Sequence, residues 1–189
     1  MEKYGDESFI NLLRESREDA DRDIRNGKIL AAGKILAFRE REIIKNLLWM
    51  WLPDEFGPLS KEMARLKYFN ENRPDIIYTN AKTTVNVTFS YKFDRLEEGH
   101  EEEIRDYMAG IVMRLHPGIF ITEKNVTEAG GHSLAWFDFV TPALDTDIYN
   151  LMFLTSLKGR LLMGGFNCLD EDQEEWKELF IQMLGTVRF

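Results

Sequence analysis

The sequence predicts an α+β fold, a mostly antiparallel sheet of about six strands covered by amphipathic helices, and three observations predict it. Residues 132–168 read as a meander of three strands, LAWFDFV, DIYNLMFLTS and LLMGGFNC, with a turn at LKGR. In the first of these, Ala135, Phe137 and Phe139 point one way while Leu134, Trp136 and Asp138 point the other. Two helical stripes complete the pattern. Trp176, Leu179, Phe180, Met183 and Leu184 form one, and Ile104, Tyr107, Met108, Ile111, Val112 and Leu115 the other. Striped helices beside a meander bury their stripes most simply by lying on the sheet.

Taken in order, residues 8–26 (SFINLLRESREDADRDIRN) read as an amphipathic helix with a thin apolar face and a polar face of alternating charge. Gly27 is placed to end it. The unit Gly-Lys-Ile-Leu-Ala follows at Gly27 and again at Gly33, too short for a repeat array and compatible with a packed helix or strand. A phosphate-binding loop is disfavoured, because the glycine spacing is wrong and Ile35 stands where a hydroxyl is needed. Residues 1–44 are therefore expected to be a charged helical extension, with the sandwich domain over 45–189.

LLWMWLP reads as a strand ended by Pro53, with Trp49 and Trp51 on one face and Leu48, Met50 and Leu52 on the other. Ser60 is a natural N-cap for a short helix over KEMARLK. After the loop NENRPD, DIIYT and TTVNVTFSYKF read as strands. The second alternates between Val85, Val87, Phe89 and Tyr91 inward and Thr84, Asn86, Thr88 and Ser90 outward, so one sheet face is wet or separately covered. The helix containing Ile104–Leu115 has acidic residues at its start, Arg114 near its end, and Pro117-Gly118 to stop it. GIFITEKNVTE is a further strand.

Composition narrows the function classes. The net charge of −9 lies in the body: residues 1–45 carry ten acidic and ten basic side chains, and 46–189 carry 23 and 14. Such a surface argues against nucleic acid and against anionic membranes. No apolar run reaches the roughly 20 residues of a membrane helix. The N-terminus has neither a secretory h-region nor a lipobox cysteine, so the expected location is cytoplasmic. One cysteine, Cys168, excludes an internal disulfide and fits a buried core thiol.

No catalytic constellation, cofactor motif or metal motif is recognised. His100-Glu101 lacks the second histidine of a zinc helix, since Ile104 occupies that position, and the surrounding carboxylates suit a solvated helix start. Gly164-Gly165 marks a bulge or a close backbone approach. The aromatic strands LLWMWLP and LAWFDFV are apolar on both faces, which means either a doubly covered sheet or an exposed aromatic patch for a partner. The loop at 67–75 carries Lys67, Tyr68, Phe69 and Arg73, types suited to anchoring a protein partner or to packing down as a lid.

The run from Leu52, Pro53 and Phe56 through Lys67-Tyr68, Arg73-Pro74, a hairpin, a long helix, a meander and a closing helix with Trp176 resembles the PsbP/Mog1-like α/β/α sandwich family, including bacterial DcrB-type proteins, over residues 45–189. The resemblance implies an antiparallel sheet with helices on both faces, protein binding and no catalysis. The expected function is a non-enzymatic module for an unidentified protein partner, with residues 1–44 as a docking or homo-oligomerisation element. The acidic charge would also suit neutralising a cationic toxin by steering. The alternative is a small-molecule binder or enzyme with a pocket between sheet and helix.

Overall fold

The computed structural model describes residues 23–26, 28–31, 33–67, 73–143 and 145–189. Ten strands run in chain order: β1 (Lys28–Ala31), β2 (Lys34–Ile44), β3 (Leu48–Pro53), β4 (Gly57–Pro58), β5 (Ile76–Thr79), β6 (Asn86–Arg95), β7 (Ile121–Ala129), β8 (His132–Thr141), β9 (Ile148–Leu157) and β10 (Arg160–Leu169). Three α-helices are interspersed: α1 (Lys61–Lys67), α2 (Glu101–Leu115) and α3 (Gln173–Leu184). A seven-stranded antiparallel sheet has the order β4-β5-β6-β10-β9-β8-β7, and β1-β2-β3 form a separate small sheet. The α+β class is as predicted, with more strands than expected and β3 outside the main sheet.

One expectation is corrected. The helical character assigned to residues 1–44 does not extend over Lys28–Ala31 and Lys34–Ile44, which are strands. The two Gly-Lys-Ile-Leu-Ala copies pair with each other as an antiparallel hairpin, with Ile29 opposite Leu36 and Leu30 opposite Ile35. Gly33 turns the chain between them at φ +69°. Short Ile/Leu runs satisfy helix and strand alike, and here pairing decides, because Ile29, Leu36, Phe38 and Ile43 enter the core of the main sheet. Of the helix expected at 8–26, only its end is described, and Ile24–Asn26 is a 3-10 turn; the rest lies outside the described residues.

The two faces of the main sheet are covered differently. On one, Trp176, Leu179, Phe180, Met183 and Leu184 of α3 are all buried, as the stripe predicts. Phe180 stacks on Phe166 of β10 with ring centres 4.7 Å apart, and Trp176 meets Phe56 at 5.9 Å. The small sheet joins this core through Leu48, Met50 and Leu52. It is clipped to the chain after α3 by paired backbone hydrogen bonds between Trp49 and Arg188. Trp136 is core, whereas Trp49 and Trp51 are half-buried and Arg188 lies over the Trp49 ring at 4.4 Å.

The other face carries α2, which connects β6 to the far edge strand β7 and packs on β7, β8 and β9. Its contact residues are Ala109, Met108 and Val112 against Phe137 and Phe139, with Ile104 beside Ala135 and Leu154. The predicted stripe is therefore divided. Tyr107 and Leu115 face solvent at 61% and 70% exposure, while Arg105 is buried in their place. Arg105 is tolerated there because it pairs with Glu102 and Asp106 and donates to the Asn125 carbonyl. A helix is about 10 Å wide and strands are about 4.8 Å apart, so one helix covers only two or three strands. The β6–β10 half of this face is left without a helix among the described residues.

Candidate functional site

Among the described residues, that half forms a groove of about 650 Å³. Its floor follows from alternation. Val87 and Phe89 of β6 and Leu162, Phe166 and Cys168 of β10 go to the core. Thr88, Ser90, Lys92 and Asp94, with Leu161, Met163, Gly165 and Asn167, line the opposite side. Pairing of Ser90 with Met163 and of Thr88 with Gly165 sets these residues side by side. Met108 of α2 and Met152 of β9 border the groove on one side and Pro74 on another. Asn86 donates to the Asn167 side chain at 2.8 Å, and Thr88 Oγ1 donates to the Gly165 carbonyl at 3.2 Å.

The glycine pair is explained by close approach. A Cβ on Gly164 would lie 2.2 Å from the Phe153 ring, so the aromatic core on that face requires its absence. Gly165 faces the groove, where a Cβ would meet Thr88 Oγ1 at 3.2 Å. Among the described residues, the ionisable groups lining the groove are Lys92 and Asp94. The remaining lining is neutral and polar or apolar, which suits binding by shape and neutral hydrogen bonds.

Pro74 also borders a second hollow of about 440 Å³, lined by Lys61 and Arg65 of α1 together with Arg73, Asp75 and Ile77. Ser60 caps α1, accepting from the Met63 N–H at 3.2 Å, as its sequence position predicts. Among the sequence-predicted partner residues, Arg73 is exposed and lines this hollow. Lys67 ends α1, and Tyr68 and Phe69 lie outside the described residues. Lys61, Arg65 and the groove floor escaped sequence reading; the only signal was the outward set Thr88 and Ser90.

A third polar cluster ties α3 to the sheet. Asp138, wholly buried on β8, accepts from Tyr149 Oη at 2.9 Å, from Lys177 Nζ at 2.7 Å and, through Oδ1, from the Glu123 N–H at 2.7 Å. Lys177 also donates to Glu123 at 2.8 Å. Burial, reinforced by Asp138, pushes the Tyr149 hydroxyl far above its usual range. The Lys177 hydrogen bond holds Glu123 below the ordinary carboxylate range. Burial pulls Lys177 downward, but its bonds to Asp138 and Glu123 outweigh this and raise it. Each charge is paired, so the cluster acts as a clamp. Burial likewise pushes the Cys168 thiol up to about 12, which leaves it neutral and unreactive.

The acidic run at the start of α2 is used structurally. Glu101 turns back to accept the Gly99 N–H at 2.8 Å, and His100 Nδ1 lies 3.2 Å from Glu103. Among the described residues no three His, Cys, Asp or Glu side chains gather as a metal site requires.

No family model matches the sequence, and no curated protein matches it. Solved structures do share its architecture, and the chain has a PsbP/Mog1-like α+β fold. It is similar to the cyanobacterial PsbP protein CyanoP of Synechocystis sp. PCC 6803 at 10% identity and a TM-score of 0.59, over 84% of this chain and 95% of that one. It is also similar to LpqN of Mycobacterium tuberculosis, a protein involved in cell envelope biogenesis, at 9% identity and a TM-score of 0.53, over 81% and 90% of the two chains. At this identity the likeness concerns the fold alone. Among the described residues no helix is long and apolar enough to cross a membrane.

Proposed function

We propose that the protein is a non-enzymatic binding module that engages a protein partner through the open β6–β10 half of its main sheet. One observation carries this reading: α2 covers β7–β9 and leaves a groove floored by Thr88, Ser90, Met163 and Asn167. Recessed neutral side chains flanked by methionines make an adaptable contact surface. A reducing, cytoplasmic setting suits the single buried thiol. The test is co-purification from the natural host of wild type, of Met163→Arg, which fills the groove, and of Ile35→Arg, an exposed control. The reading expects a stoichiometric partner lost only in Met163→Arg. Equal recovery from all three contradicts it.

The groove's volume favours one second reading, a small-molecule site, because 650 Å³ lies within the range of ligand pockets. A thermal-shift screen over metabolites separates the two. A ligand at 100 times its Kd adds about 2.7 kcal/mol and moves the midpoint by several degrees.

A further inference from the structure

We infer that the partner segment received by this protein is acidic, with its carboxylates seated in the cationic hollow beside the groove; this rests on the groove being the binding surface. Among the described residues, the hollow gathers Lys61, Arg65 and Arg73 against one carboxylate, that of Asp75. Asp75 is itself engaged, since its Oδ2 accepts the Tyr91 N–H at 3.2 Å. The concentration of positive charge stands out in a chain whose net charge is −9.

Two features of the backbone bring the cations together. Lys61 and Arg65 are four residues apart on α1 and so project from one side of the helix. Arg73 is delivered by the β5–β6 pairing: the Asp75 N–H bonds to the Phe89 carbonyl at 2.9 Å, which fixes the chain just after Arg73 against β6. None of the three has a described carboxylate within ion-pair distance. Solvated cations grouped in this way attract carboxylates at short range, and two of them are guanidinium groups that bind carboxylate bidentately.

Continuity with the groove selects a peptide segment over a free anion. Pro74 borders both hollows, so an extended chain lying along β6 and β10 can pass from the apolar floor at Met163 into the cationic end. The acidic body repels such a chain at distance, and the local cations then fix where its carboxylates settle. Specificity would come from charge at the hollow and affinity from contact along the groove.

Fluorescence anisotropy at low salt tests this with a labelled glutamate-rich peptide long enough to span the groove, and the same peptide with glutamine in place of glutamate. The glutamate peptide should bind about tenfold tighter, and Arg65→Glu combined with Arg73→Glu should abolish that preference. Arg65→Lys with Arg73→Lys should retain most of it, and circular dichroism checks the fold of every variant. Equal binding of the two peptides, no binding of either, or an undiminished preference in the charge-reversed variant would overturn the inference. Inorganic phosphate displacing the peptide at equal molarity would also overturn it, by making the hollow a small-anion site. If the glutamine peptide binds equally well and is lost in Met163→Arg, the groove reading survives while this inference fails.

Discussion

Lys177 on α3 holds its ammonium 2.7 Å from the carboxylate of Asp138, a β8 residue with no solvent exposure. With the Lys177–Glu123 pair, this contact joins the covering helix to the sheet by charge beside an aromatic and aliphatic interface. Removing the cation leaves a buried carboxylate supported only by Tyr149 and the Glu123 N–H. Lys177→Met is expected to lower unfolding free energy by about 3 kcal/mol in urea titrations, and Asp138→Asn in the same chain should recover part of the loss.

The same cluster sets an acid limit. Glu123 has a folded-state pKa below its unfolded value, so between the two the unfolded chain binds more protons and stability rises with pH. Its contribution is complete above the ordinary glutamate value of about 4.3 and is lost as pH falls through the depressed one. Glu123→Gln should therefore flatten the decline in stability below that value, measured by urea unfolding across acidic buffers. A decline as steep as wild type would remove Glu123 from the account.

Gly164→Ala presses a methyl group into the Phe153 ring, 2.2 Å from its nominal position. The expected loss is about 2 kcal/mol or more, by overpacking, and Phe153→Leu in the same chain should restore part of it. At Gly165, on the opposite face, alanine should be milder because its nearest contact, at 3.2 Å, is a hydroxyl that can rotate away.

Cys168 should react with thiol reagents at moderately alkaline pH only as fast as the molecule opens globally. Its buried thiol stays neutral up to about 12, whereas an unfolded thiol ionises near its ordinary value. Rapid labelling of the folded protein would show the β10–α3 interface to be looser than described.

What the sequence made legible is what burial dictates locally. The alternation of Leu134, Trp136 and Asp138 against Ala135, Phe137 and Phe139, and the stripe from Trp176 to Leu184, appear in the fold as read. Lys28–Ala31 and Lys34–Ile44 were not legible as strands, because an Ile-Leu-Ala run suits either period until a pairing partner is known. The groove was still less so. It exists because β10 inserts beside β6, setting Met163 against Ser90 across more than seventy positions of chain, and because α2 is too narrow for the sheet it crosses. Arg73 drew notice from its loop, but its companions Lys61 and Arg65 had no local mark beyond helical spacing.

The central claim is that the β6–β10 half of the sheet is where a partner lies. A photo-cross-linking amino acid placed at Met163, with a matched placement at Ile35 as an exposed position on the separate small sheet, tests it most directly in cells of the natural host. The account predicts a discrete protein adduct from position 163 that is absent from position 35. An adduct from position 35 with none from 163 would contradict it.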